Sequence, residues 1–184
     1  FEETPGHANH LILSSPVISP AKWRTLMTLE REGFSREFIE LNYAQELGLE
    51  AAIRAIADQA EAAVRGGKVL LVLSDRNIGP GKLPAHPALA GGAVHHRLVE
   101  QGLRCNCNIL VETATARDPH HFAVLCGFGA SVVYPYLAYE VLSDLVRNGE
   151  VLGDVHEVFK YYRKGISKGL LKVLSKMGIS TIAS

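Results

Sequence analysis

Val69-Leu70-Leu71-Val72-Leu73 runs without a polar break and stops at Ser74-Asp75. A strand with water on one face alternates apolar and polar residues, so a short continuous run like this one belongs to a strand covered on both faces. Upstream, Ala52, Ile53, Ile56, Ala57, Ala60, Ala63 and Val64 recur at steps of three and four between Leu49 and Arg65, and Gly66-Gly67 follows. That is an amphipathic helix with its stop signal. Downstream, Ser74 to Pro87 carries Pro80, Gly81, Pro84 and Pro87 and reads as a long loop, with a helix expected from about Ala88 to Gln101, ended by Gly102.

The same unit recurs on both sides. Asn108 to Val111 is a second buried strand, Asp118-Pro119 caps a helix running to Gly127, Ala130 to Val133 is a strand, and Tyr136 to Arg147 is a helix ended by Asn148-Gly149. After a loop-like Pro5-Gly6, Ser19-Pro20 opens a helix expected to reach Glu32, and Ser35 to Leu41 reads as a short strand. The remainder is expected to be helical to Met177, with Gly178 as a stop before a final strand from Ile179. Alternating strands and helices require crossover connections. The expected fold is therefore α/β with a mainly parallel sheet, either doubly wound or related to a βα barrel.

Composition narrows the function. The chain has 184 residues, 47% hydrophobic and 21% charged, with 19 basic against 19 acidic side chains. No repeat or linker divides it, so residues 1–184 are expected to be a single domain. A balanced charge does not suit a general nucleic-acid binder, which needs a cationic surplus. No run approaches the length of a membrane span, and three cysteines without a signal peptide favour a reducing cytoplasm. Phe1 at the start and the apolar run at the end suggest a piece of a longer polypeptide.

In parallel βα architectures chemistry gathers at the carboxyl ends of the strands. Here those ends carry Ser74-Asp75-Arg76-Asn77, then Glu112-Thr113 leading to Arg117-Asp118, then Tyr134-Pro135-Tyr136. The candidate rim residues are therefore Asp75, Arg76, Glu112, Arg117, Asp118, His120, His121 and Tyr136. Two roles are open to them: an ion-pair network that fixes the loops, or a site for a metal or an anionic small molecule. His120 and His121 are adjacent, as are His95 and His96, and neighbours on a helix point about 100° apart, which does not suit one shared metal. Cys105 and Cys107 enter a strand as C-x-C, where side chains about 7 Å apart cannot form a disulfide without distortion. They are expected to be inert thiols, like Cys126. Gly79-Pro80-Gly81-Lys82 lacks phosphate-loop spacing, and no dinucleotide or nucleophile-elbow motif is present. Lys164, Lys168, Lys172 and Lys176 form a stripe on the last helix, either a solvated face or a contact for a partner domain.

Several longer blocks stand out: Leu71-Val72-Leu73-Ser74-Asp75-Arg76-Asn77-Ile78, Ile109 to Ala114, Ala116-Arg117-Asp118-Pro119-His120-His121-Phe122-Ala123-Val124-Leu125 and Gly127-Phe128-Gly129-Ala130. Tyr134-Pro135-Tyr136-Leu137-Ala138-Tyr139-Glu140, Lys168-Gly169-Leu170, Ser175 to Thr181 and the early Leu13-Ser14-Ser15-Pro16 complete the set. Together they resemble the central domain of the glutamate synthase large subunit. Ala116-Arg117-Asp118-Pro119 before the paired histidines is more similar to the bacterial NADPH-dependent form than to the ferredoxin-dependent one.

The resemblance implies a multidomain oxidoreductase of ammonia assimilation. A glutaminase domain with a cysteine nucleophile releases ammonia, which travels to an FMN domain that makes glutamate from 2-oxoglutarate. The central domain joins the two within one polypeptide and helps form the ammonia path. The whole enzyme is implied to use FMN, an iron–sulfur cluster, and NADPH with FAD on a small partner subunit. None of these is expected on the present residues. Phe1 is not the catalytic cysteine, and Cys105, Cys107 and Cys126 do not follow the cluster's C-x-x-x-x-x-C-x-x-x-x-C spacing.

Overall fold

The apolar run from Val69 to Leu73 supplies β3, Leu70–Ser74, all five residues buried. In the computed structural model, residues 9–182 and 184 are described, so the Pro5-Gly6 turn lies outside them. Around β3 the chain forms α1 (Pro20–Met27), β1 (Arg36–Glu40), β2 (Asn42–Ala44), α2 (Leu49–Arg65), β4 (Lys82–Pro84) and α3 (Pro87–Glu100). It continues with β5 (Asn108–Glu112), α4 (Pro119–Gly127), β6 (Ala130–Tyr134), α5 (Tyr136–Arg147) and α6 (Val155–Met177). Strands β1, β3, β5 and β6 form one parallel sheet in that spatial order.

Because the order follows the chain, each crossover steps in the same direction and its helix falls on the same side. Leu71 and Leu73 of β3, Ile109 and Val111 of β5 and Val133 of β6 pack in one core with Ile56 and Ala60 of α2, Val94 and Leu98 of α3, and Phe122 and Leu125 of α4. Of the two windings left open by the sequence, this is the barrel-like one.

The alternate side chains face the other way. Leu70, Val72, Leu110, Val132 and Tyr134 form a second core with Trp23 and Leu26 of α1, Tyr139 of α5 and Phe159 of α6. Trp23 stacks on Tyr134 at 4.9 Å between centroids, and Tyr139 meets Phe159 edge-on at 4.8 Å. The buried Tyr139 hydroxyl donates to Ile18 O at 3.0 Å, so it is satisfied within this aromatic layer. The surface that would line a closed barrel is filled with side chains. Next to β6, Val17 makes a parallel bridge with Val133, extending that edge by one residue.

Several local expectations need correction. Helix α1 stops at Met27 and not Glu32, because Thr28 Oγ1 turns back onto Arg24 O and Arg36 Nη1 takes Leu29 O, directing the chain so that Phe34 enters the second core. The loop from Ser74 to Pro87 contains β4, which pairs antiparallel with β2. Three residues with exposed side chains carry no periodicity to read. Of the C-x-C pair, Cys105 lies in a 3₁₀ turn over Arg104–Asn106 and Cys107 is the extended residue that follows it, so both precede β5. A non-helical stretch, residues 148–154, separates α5 from α6, whose N-cap is Asp154. Beyond Gly178, residues 179–182 form bends and a turn in place of the expected last strand, and Ala183 lies outside the described residues. Glycine is required at Gly169, where an added Cβ would overlap the Pro119 ring at the α4–α6 contact. No helix among the described residues is long and apolar enough to cross a membrane.

Candidate domain-junction site

The register of the sheet builds the site. Glu40 lies opposite Ser74, Ser74 opposite Glu112, and Glu112 opposite Tyr134, which makes one row across the carboxyl ends of all four strands. Alternation puts Ser74, Glu112 and Tyr134 on the side of the aromatic core, where the side chains are buried.

Within this row the charges are matched. Glu112 is 7% exposed; its Oε2 accepts from Ser74 Oγ at 2.6 Å and its Oε1 from Arg76 Nη1 at 3.3 Å. Arg76 reaches on to Glu140 Oε1 of α5 at 2.8 Å and lies over the Tyr136 ring, 4.6 Å from its centroid. Partial burial works against the Arg76 charge, but the Glu112 and Glu140 carboxylates outweigh it and raise the pKa of the guanidinium. Burial, together with the neighbouring Asp75 carboxylate, holds the Tyr136 phenol well above the ordinary tyrosine range. Tyr136 is therefore a neutral hydrogen-bonding group at any physiological pH.

Asp75 is 4% exposed, and its carboxylate ties the loop after β3 to the loop after β5. Its Oδ2 accepts from Thr113 Oγ1 at 2.5 Å and its Oδ1 from Ala114 N at 3.0 Å, while Asp75 N donates to Glu112 O at 3.2 Å. Asn42 Nδ2 donates to Asp75 O at 2.9 Å and to Glu40 Oε1 at 2.5 Å, tying in β1 and β2. Asn42 Oδ1 is buried and has no donor among the described residues.

Four candidates stand apart from this network. Asp118 caps α4, its Oδ1 accepting from His120 N at 2.9 Å and His121 N at 3.3 Å. His121 Nδ1 lies 3.4 Å from Asp118 Oδ2, and His120 is exposed. The expected ion-pair network does not include Arg117, which is held through its backbone: its N donates to His121 Nδ1 at 3.4 Å and its O accepts from Tyr162 Oη at 3.0 Å. Glu140, not among the sequence candidates, joins the network instead by pairing with Arg76 at 2.8 Å. Its spacing of four from Tyr136 on α5 was the available signal, since such residues share a helix face.

Cys105 is exposed, Cys107 and Cys126 are buried, and among the described residues no three His, Cys, Asp or Glu side chains gather as a ligand set. Burial pushes the Cys126 thiol up to about 11.

The family model for the glutamate synthase central domain matches residues 1–184. The NADPH glutamate synthase large chain of Bacillus subtilis is 37% identical over 94% of this chain and 11% of its own length. The corresponding large chain of Azospirillum brasilense is 38% identical, and ferredoxin-dependent glutamate synthase 1 of Arabidopsis thaliana 39%, each over 100% of this chain and 12% of the relative. Bacterial NADPH-type and plant ferredoxin-type proteins thus match at similar identity, and the chain spans about one-tenth of their length. With the whole chain covered and relatives above one-third identity, the protein belongs to the glutamate synthase central domain family.

Proposed function

We propose that this chain is the connecting domain of a bacterial NADPH-type glutamate synthase in the cytoplasm. It orders the junction between a glutaminase domain and an FMN domain of the same polypeptide and helps form the path that ammonia takes between them. The observation that carries this reading is the hydrogen-bonded state of the rim. Glu112 and Asp75 spend their carboxylate oxygens on Ser74, Arg76, Thr113 and Ala114, and Arg76 is shared between two carboxylates. Groups committed in this way hold loops in register; a general acid or base needs a free lone pair or proton aimed at a substrate. FMN, the iron–sulfur cluster, and the NADPH and FAD of a small partner subunit belong in this reading to other parts of the enzyme.

The competing reading is a stand-alone α/β enzyme that binds a metal or an anionic small molecule at the strand carboxyl ends. Metal analysis and absorption spectra of the purified chain separate the two. The connecting-domain reading expects no flavin absorbance and far less than one metal ion per chain, whereas a yellow preparation or a stoichiometric metal supports the stand-alone enzyme.

A further inference from the structure

The opposite end of the sheet differs in chemistry from the rim. Arg104, in the 3₁₀ turn before β5, donates from Nε to His95 Nδ1 at 3.0 Å, from Nη1 to Cys107 O at 2.9 Å and from Nη2 to Gly129 O at 2.9 Å. A guanidinium has five N–H donors, so two remain. All three acceptors are neutral, because burial and the adjacent Arg104 charge hold the His95 imidazole below its ordinary pKa. Arg76 and Arg97 each meet two carboxylates, but no Asp or Glu among the described residues comes within ion-pair distance of Arg104. Gly129 makes the arrangement possible: its φ is +101°, and a Cβ there would lie 2.7 Å from His95 Nδ1.

Arg104 and His95 line a cavity of about 580 Å³ whose α6 wall is Leu170, Leu171 and Leu174. The Ser15 and Ser167 hydroxyls, 3.0 Å apart, lie on the same lining. We propose that this cavity binds a small aliphatic carboxylate, its acid group on Arg104 and its chain along the α6 leucines. A partly buried cation with only neutral partners keeps an uncompensated desolvation cost, and a carboxylate matches the planar donor geometry that would relieve it. One guanidinium balances a monoanion, and the leucines suit a hydrocarbon chain and not the hydration shell of inorganic phosphate.

The test uses pentanoate in a ligand-detected NMR titration of the full-length polypeptide, beside pentanol and inorganic phosphate. Leu171 is 65% exposed on the cavity wall, so Leu171→Glu and Leu171→Gln leave the fold intact and differ only in charge. Pentanoate should bind saturably, with pentanol and phosphate far weaker. Leu171→Glu should weaken pentanoate severalfold and Leu171→Gln much less, since a like charge on the cavity wall opposes the ligand. The proposal is overturned if pentanol matches pentanoate, if phosphate competes equally, or if the two Leu171 variants bind alike. Loss of pentanoate in Arg104→Met, with unchanged thermal stability, would assign the charge directly.

Discussion

Thr113 and Asp75 are joined by a 2.5 Å hydrogen bond between Oγ1 and Oδ2 that closes the loop after β5 onto the loop after β3. Both residues are buried, and the same hydroxyl accepts from Thr115 N at 3.1 Å. Thr113→Val keeps the shape and removes the donor from a buried carboxylate. The expected cost is about 2 kcal/mol, read as a lower urea midpoint at unchanged slope. Thr113→Ser should recover most of it.

Asp118 holds two backbone N–H groups at the start of α4. Asp118→Ala should lower stability by about 1 kcal/mol, and Asp118→Ser should largely restore it, because a hydroxyl caps the same groups. An unchanged midpoint in Asp118→Ala would contradict the capping role.

Two glycines on α6 should respond in opposite directions. A Cβ at Gly169 would overlap the Pro119 ring, while one at Gly165 meets nothing within 4 Å. Gly169→Ala should destabilise by about 1–3 kcal/mol through overpacking. Gly165→Ala should stabilise by about 0.5–1 kcal/mol through helix propensity. Equal effects from the two would contradict the close α4–α6 approach.

His95 accepts from Arg104 and must be unprotonated to do so. Burial, the Arg104 charge and neighbouring His96 all lower its pKa from 6.5. The unfolded state therefore takes up this proton first as pH falls. The His95 contribution to stability is complete above about pH 6.5 and declines below it, toward the folded-state pKa. NMR titration of the imidazole should give a midpoint below 6.5. A midpoint above 6.5 would contradict the neutral, Arg104-bonded state of His95.

What was legible in the sequence were the long, locally driven features. Val69 to Leu73 announced β3, the three-and-four spacing announced α2, and Asp118-Pro119 announced the start of α4. Asp75, Arg76, Glu112 and Tyr136 were legible as one group because strand ends converge in a parallel sheet. Features set by tertiary contacts were not. Helix α1 ends early because Phe34 must reach the aromatic core, and β4 exists only because β2 lies beside it. Arg117 follows the strand end in sequence as Arg76 does, yet the turn into α4 leaves it with backbone contacts alone, and the second rim carboxylate comes from Glu140 on a helix.

The central claim is that the rim couples two reactions without performing either. The most direct measurement is the ratio of glutamate formed to glutamine hydrolysed in the full-length synthase carrying Glu112→Gln. The amide keeps the shape of Glu112 but weakens its hold on Ser74 Oγ and Arg76 Nη1. Glutamine hydrolysis and ammonia-dependent glutamate synthesis should each stay near wild type, while the ratio falls severalfold as ammonia escapes the junction. A ratio equal to wild type, with both activities reduced together, would contradict the account and leave Glu112 with a role in stability alone.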